Sequence, residues 1–138
     1  MTNPFIVVGY DGSSMALGAL QWALEEAPLR SADVVIVHGW LPTSVGMDPS
    51  GMAIAACEQA GQEVLADATA KAAALAPGVK VTTQLVACSG AQAVLDASKG
   101  AALLVMGARG HGGFTGLMLG SVGSQVLHHA PCPVMIHR

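Results

Sequence analysis

Short apolar runs alternate with segments of helical periodicity along the whole chain. Four runs are almost purely apolar and rich in β-branched residues, which is typical of strands buried on both faces of a parallel sheet. They are Phe5–Val8, Val34–Val37, Leu103–Met106 and Val134–Ile136. A fifth run, Val79–Val86, partly alternates polar and apolar residues, which predicts an edge strand with one face toward water.

Helical patterns fill the gaps between these runs. Ser13 or Ser14 is suited to cap a first helix, whose inward face is formed by Leu17, Leu20 and Leu24. Residues 52–76 predict a longer, alanine-rich helix with an outward pair between Asp67 and Lys71. The residues predicted to face inward on this helix are Val64, Leu65, Ala68, Ala72 and Leu75.

Two further helices are predicted in the second half of the chain. Ser89 and Gln92 have the spacing of a capping box at the start of a third helix, and Gly100 is a suitable stop. A fourth helix is expected to start near Gly120 and to end before Pro131, because proline disfavours helical geometry in the residue before it.

The order of these elements is β-α-β-α-β-α-β-α-β. It predicts an α/β fold in a single domain over residues 1–138: a doubly wound sheet of five mainly parallel strands, with four helices on both faces. In such folds, ligands bind beyond the carboxyl ends of the strands. The residues that follow the strands, namely 10–12, 39–40, 87–88 and those from Gly107 onward, are therefore the ones to inspect for function.

Composition narrows the class of protein. Only 11% of the 138 residues are charged, and 52% are hydrophobic, so a membrane protein has to be considered. The longest stretch without a charged residue, Gly110–His137, contains four histidines and two prolines and does not resemble a spanning helix. A net charge of −3 argues against nucleic acid as a partner. Three widely spaced cysteines and the lack of a signal-peptide pattern predict a cytoplasmic protein with reduced thiols.

The most informative segment follows the fourth strand. Residues 107–116 contain five glycines, and the next helix is expected to begin close behind them. Such a loop lets the backbone approach a ligand closely, while the helix start offers unpaired N–H groups and a positive dipole end. Ser121 adds a hydroxyl group and Arg109 a guanidinium group, which together predict a cradle for phosphate.

Glycine content alone fits an ordinary surface loop equally well, and the position at the ligand edge of the sheet favours the binding hypothesis. Other phosphate motifs fail: no lysine lies in the segment, as a P-loop requires, and the turn after the first strand does not match G-x-G-x-x-G. A phospho-acceptor role for Asp11 lacks the additional acidic residues. A zinc site at His129, Cys132 and His137 lacks a complete ligand set.

The spacing of Gly107, Gly110 and Gly120-Ser121 resembles the G-2x-G-9x-G-[ST] signature of ATP-binding universal stress proteins. Residues 6–13, 22–24, 37–40 and 129–134 also resemble segments of that family, so the likeness covers nearly the whole chain. The resemblance implies an adenine nucleotide alpha-hydrolase-like fold. It also implies subunits that pair through the last strand, here residues 134–137.

The same resemblance implies a nucleotide site. Asp11 would lie by the ribose and adenine, and the backbones of Gly9 and Gly39 would line the base pocket. The phosphates would be held by the loop and the start of the last helix, that is by Gly107, Arg109, Gly110, His111, Gly112, Gly113, Gly120, Ser121, Val122 and Gly123. Gly123 stands where nucleotide-binding members usually have a second hydroxyl residue, a departure that bears on affinity and on the choice of nucleotide.

The sequence therefore predicts a dimeric, ATP-binding regulatory protein of the stress response. Mg²⁺ could accompany the phosphates, and AMP or a cyclic nucleotide is the alternative ligand. No catalytic residues and no protein-bound metal are predicted, because neither a lysine on the phosphates nor a positioned general base is evident. Two alternatives remain open: a dimeric interaction scaffold of the same fold that binds no nucleotide, and a slow ATPase.

Overall fold

A computed structural model of the chain describes residues 3–40, 49–110 and 119–138. The described residues form one sheet of five parallel strands in the order β3-β2-β1-β4-β5, with four helices. The strands are β1 (Phe5–Gly9), β2 (Asp33–Gly39), β3 (Val81–Val86), β4 (Leu103–Gly107) and β5 (Val134–His137). The helices are α1 (Ser14–Arg30), α2 (Met52–Leu75), α3 (Gly90–Ala97) and α4 (Ser121–His129). The predicted fold class is confirmed.

The central strands contribute side chains to two separate cores because successive residues of a strand point to opposite faces. Ile6 and Val8 of β1 pack with α1 and α2, whereas Val7 packs on the other face. The second core contains Leu104 of β4 and Val126 of α4. Strands β1, β2 and β4 are thus covered on both faces, as their continuous apolar runs predict.

The local signals for helix ends are largely confirmed. The hydroxyl of Ser13 accepts a hydrogen bond from Ala16 N at 3.2 Å and caps α1. Ser89 caps α3 in the same way, through Gln92 N at 3.3 Å. The reciprocal half of the predicted capping box is absent, because the side-chain amide of Gln92 donates to Asp96 instead, at 2.8 Å. The outward pair of α2 is present, with Lys71 Nζ 2.9 Å from Asp67 Oδ2.

Three expectations about strand and helix faces are wrong. β5 is only half-buried rather than covered on both faces, because β4 is the one described strand beside it. The third strand begins at Val81 rather than Val79, although its edge position is confirmed. Leu75 is 51% exposed, so the inward stripe of α2 ends at Ala72.

None of the helices in the described part of the chain is both long enough and apolar enough to cross a bilayer.

Candidate functional site

The strand order places the ends of β1 and β4 side by side in the middle of the sheet. The chain leaves β1 toward α1 on one face, and the residues after β4 lead to α4 on the other face. A crevice between two strands whose connections diverge in this way is the usual ligand position in doubly wound folds. It is bordered by the β1–α1 junction (residues 9–14) and by the β4–α4 junction (residues 107–110 and 119–121).

At the β1–α1 junction, Asp11 closes a tight turn. Its Oδ1 accepts a hydrogen bond from Ser13 N at 2.9 Å, and Gly12 between them has a positive φ of 85°. Ser13 in turn caps α1. The sequence Asp-Gly-Ser thus satisfies its own polar groups while it holds the Asp11 carboxylate at the carboxyl end of β1.

Tyr10 anchors this junction to the neighbouring elements. Its side chain is 3% exposed, and its hydroxyl donates to Asp67 Oδ2 of α2 at 3.4 Å. His38 Nδ1 donates to the carbonyl oxygen of Tyr10 at 2.8 Å, which ties the end of β1 to β2. Burial raises the pKa of the Tyr10 phenol above its ordinary value of 10.0; nearby Lys71 opposes this shift and Asp67 adds to it. Sequence analysis singled out the position of Tyr10 but not this role.

At the β4–α4 junction, glycine allows two segments to approach closely. A Cβ on Gly107 would lie 2.9 Å from Cβ and 3.0 Å from the carbonyl carbon of Met15 in α1. A Cβ on Gly110 would overlap Oδ2 of Asp11. The structure therefore brings together Asp11 and Gly110, which are far apart in the chain and which sequence analysis assigned to one site.

The first turn of α4 completes this junction. Gly120 N donates to the carbonyl oxygen of Ala108 at 2.8 Å, and Ala108 N donates to that of His137 in β5 at 2.7 Å. Gly120, the capping residue of α4, has no side chain to accept from the first turn. Ser121 and Val122 are exposed, and Gly123 is buried. The first N–H groups of a helix have no acceptor within the helix, and the dipole makes this end positive. The junction therefore offers an uncapped helix start beside Gly110, an arrangement suited to an anion.

Gly9 and Gly39, the predicted base-pocket residues, have a packing role in the structure. A Cβ on Gly39 would lie 2.6 Å from the carbonyl oxygen of Ser89 and 2.7 Å from that of Cys88. A Cβ on Gly9 would lie 3.1 Å from Cγ2 of Val94 in α3. Close approach of the backbone thus accounts for both glycines, and contact with a base stays a prediction. The proximity of the Cys88–Ser89 turn to Gly39 is a feature that sequence analysis missed.

Some predicted positions fall outside the described residues. They are His111, Gly112 and Gly113 in the glycine-rich loop, together with residues 41–48 after β2. Within the described residues, no group of three or more His, Cys, Asp or Glu side chains could hold a metal ion.

Comparison with known proteins identifies the family. Residues 5–138 match the model of the universal stress protein family. The chain belongs to the universal stress protein family.

Curated relatives agree with this assignment. A universal stress protein of Mycolicibacterium smegmatis is 36% identical over 133 residues, which cover 96% of this chain and 45% of the relative. One from Mycobacterium tuberculosis is 35% identical over 133 residues, covering 96% of this chain and 44% of the relative. The chain thus spans less than half the length of these two relatives.

Solved universal stress proteins share the fold. One from Lactobacillus plantarum superposes with a TM-score of 0.82 at 22% identity, covering 100% of this chain and 99% of that protein. One from Archaeoglobus fulgidus in complex with dAMP has a TM-score of 0.69 at 25% identity and covers 99% of this chain and 98% of that protein. The adenine nucleotide alpha-hydrolase-like fold implied by the sequence resemblance is therefore confirmed.

Proposed function

We propose that this universal stress protein binds an adenine nucleotide in the crevice between the β1–α1 and β4–α4 junctions. The observation that carries the proposal is the contact between Asp11 and Gly110 beside the uncapped start of α4. One polar carboxylate, a close backbone approach and an open helix start meet within one crevice. The Archaeoglobus fulgidus relative in complex with dAMP supports an adenine nucleotide as the ligand.

The predicted residue roles follow from this placement. The phosphate lies at the start of α4, where the amides of Ser121, Val122 and Gly123 and the hydroxyl of Ser121 donate. Arg109, half-buried at the same junction, supplies the positive charge. Asp11 accepts from the hydroxyl groups of the ribose, because a carboxylate is an acceptor and the sugar carries donors. The base extends toward the ends of β1 and β2, past Gly9 and Gly39.

Binding rather than catalysis is the proposed activity. The described part of the β4–α4 junction carries no lysine, and Asp11 is already engaged by Ser13 N. Efficient hydrolysis needs a group that positions and activates water, and these residues supply none. A slow ATPase remains the alternative, to be tested by turnover of the purified protein.

We further propose a cytoplasmic, dimeric regulatory protein that pairs through β5. The half-buried side chains of β5 and its edge position support this, since an open strand edge is a template for pairing with another chain. Sedimentation of the purified protein tests the dimer. A monomer at every concentration would contradict it.

Calorimetric titration of the nucleotide-stripped protein with ATP and Mg²⁺, and separately with AMP, tests the nucleotide proposal. One saturable site per chain is expected. Gly110→Val should weaken binding by about 100-fold or more, equivalent to ~2.7 kcal/mol, because its side chain would displace Asp11. Ser121→Ala should weaken binding roughly tenfold, since it removes one hydrogen bond to a charged group.

Gly78→Val is the matched control for Gly110→Val. A Cβ on Gly78 meets nothing within 4 Å. The residue lies between α2 and β3, before the amino end of that strand, whereas the candidate site lies at the carboxyl ends of the strands. Its binding should equal that of the wild type. If the wild type bound neither nucleotide, the scaffold hypothesis would replace this one.

A further inference from the structure

We propose that His38 is a positioning residue for the nucleotide site: it holds the carbonyl group of Tyr10 and thereby keeps the Asp11 carboxylate where it accepts from the ribose. The inference rests on the proposed function and adds to it a residue that acts through Asp11. His38 lies near the carboxyl end of β2, at the same edge of the sheet as Asp11.

The position of the His38 ring follows from the alternation of side chains along β2. Val34 and Ile36 belong to the core shared with α1 and α2, so His38 projects from the same face of the strand. On that face α2 comes close, because a Cβ built on its Gly61 would lie 3.3 Å from Cδ2 of His38. The half-buried ring is thus confined between the strand and the helix.

A hydrogen bond from His38 joins β2 to the end of β1. The Nδ1 atom of His38 lies 2.8 Å from the carbonyl oxygen of Tyr10. A carbonyl oxygen can only accept, so Nδ1 must carry a proton in the neutral and in the charged ring alike. The Tyr10 amide also pairs with β2, since it donates to the carbonyl oxygen of Val37 at 3.0 Å. Both backbone groups of Tyr10 are therefore bound by consecutive residues of β2.

The bound carbonyl group belongs to the peptide unit that Tyr10 shares with Asp11. This unit is planar, so a hydrogen bond to its oxygen also restrains the amide nitrogen and Cα of Asp11. Beyond it, the Asp11 carboxylate accepts from Ser13 N at 2.9 Å. The two hydrogen bonds hold the backbone and the side chain of Asp11 together. Loss of the first would shift the carboxylate relative to the ribose, and a hydrogen bond weakens when its distance or angle leaves the preferred range.

His38→Leu and His38→Asn form a matched pair, to be compared by titration with AMP. The two side chains have nearly the same shape, and only asparagine carries an N–H donor in the place of Nδ1. His38→Leu should weaken AMP binding about fivefold, or ~1 kcal/mol, whereas His38→Asn should stay within about twofold of the wild type. Equal affinities of the two variants would overturn the inference.

The same leucine substitution in an Asp11→Ala background separates positioning from a general effect on the fold. If His38 acts through Asp11, His38→Leu should change AMP affinity by less than about twofold once the carboxylate is absent, because the effects of coupled residues do not add. The full loss of about fivefold in that background would contradict the inference.

His128→Leu is the control for His38→Leu. The Nδ1 atom of His128 also pairs with a backbone carbonyl oxygen, that of Ser124, at 2.7 Å, but this bond lies within α4. The AMP affinity of His128→Leu should equal that of the wild type. A loss equal to that of His38→Leu would show that the effect is not specific to the bond with Tyr10, and would overturn the inference.

Nuclear magnetic resonance of the imidazole nitrogens tests the hydrogen bond in the wild type, even if a variant does not fold. Nδ1 of His38 should be protonated, and an unprotonated Nδ1 would overturn the inference. Circular dichroism and thermal unfolding show whether the variants keep the fold. Absence of AMP binding to the wild type would overturn the proposed function, whereas AMP binding that His38→Leu leaves unchanged would overturn only the inference.

Discussion

The β1–α1 and β4–α4 junctions perform the same structural task in opposite ways. Each leads from a central strand toward a helix at the carboxyl edge of the sheet. In the first, Asp11 binds Ser13 N and the Ser13 hydroxyl caps α1, so side chains satisfy the turn and the helix start. In the second, the capping residue is Gly120, which has no side chain that could accept a hydrogen bond from the helix start.

The first arrangement stabilises the fold, whereas the second leaves hydrogen-bond donors for a ligand. A capped helix start is already paired and has little left to offer a ligand, whereas an uncapped one retains donors and a positive field. The second junction contacts the first turn of α1, where Gly107 meets Met15, and the first junction, where Gly110 meets Asp11. A turn whose side chains satisfy the start of its helix thus lies against a junction whose helix begins at a glycine, and the predictions below test this difference.

The largest effect on stability is expected where the junctions pack together. In Gly107→Ala, the new methyl group would press on Cβ and the carbonyl carbon of Met15, at 2.9 and 3.0 Å. The backbone of α1 cannot turn away as a flexible side chain would. The free energy of unfolding, measured with urea, should fall by about 1–3 kcal/mol.

Gly78→Ala is the control for this substitution, since a Cβ there meets nothing within 4 Å. Its free energy of unfolding should stay within about 0.5 kcal/mol of the wild type. Equal stability of the two variants would mean that the junctions do not pack tightly at Gly107.

A smaller effect is expected from the helix caps. Ser13→Ala removes the hydroxyl that accepts from Ala16 N, and should lower the free energy of unfolding by about 1 kcal/mol. Gly120→Ser offers α4 a capping hydroxyl and should raise the free energy of unfolding by only about 0.3 kcal/mol. Urea unfolding of both variants measures the contrast. Similar losses in the two would remove the distinction between a capped and an uncapped junction.

The smallest effect at neutral pH is expected at Tyr10. Tyr10→Phe removes a long hydrogen bond of 3.4 Å to Asp67, and should cost about 0.5 kcal/mol at pH 7. The pKa of this phenol is raised by burial, so the folded state keeps the proton at pH values where the unfolded state has lost it. Its contribution to stability is therefore complete below pH 10.0 and is lost as the pH rises through the folded-state pKa.

This chain has one tyrosine, so the ultraviolet absorbance of the phenolate reports Tyr10 alone. Its midpoint should lie above that of the unfolded protein in denaturant. The difference in stability between wild type and Tyr10→Phe should shrink above pH 10.0. A midpoint at or below the unfolded value would contradict the burial argument.

Much of the fold was predictable because its signals are local. Continuous apolar runs identify β1, β2 and β4, which are covered on both faces, and Ser13 and Ser89 mark helix starts through hydrogen bonds to residues three positions later. Local signals of this kind do not predict the burial of strands at the edges of the sheet. The run Val134–Ile136 is as apolar as the central strands, yet β5 is half-buried, because apolar character does not reveal how many neighbours a strand has.

The candidate site was predictable in composition but not in its contacts. The glycine-rich spacing and the polar residues after β1 point to one edge of the sheet, and the contact between Asp11 and Gly110 fits that prediction. Nothing in the sequence indicates that Leu119 lies against Gly123, or that Tyr10 reaches Asp67 on α2. The direction of a side chain depends on the elements packed around it.

By itself, the sequence determined the order and kind of the elements, the Ser13 and Ser89 helix caps and the family, since these depend on neighbouring residues and on spacing along the chain. Only the tertiary structure decided which glycines have no room for a side chain, and which residues occupy that space. Gly107 meets Met15 and Gly39 meets the carbonyl groups of Cys88 and Ser89, pairs far apart in sequence. Such contacts arise when helices dock on the sheet, and their distances follow from the packing of whole elements rather than from any local pattern.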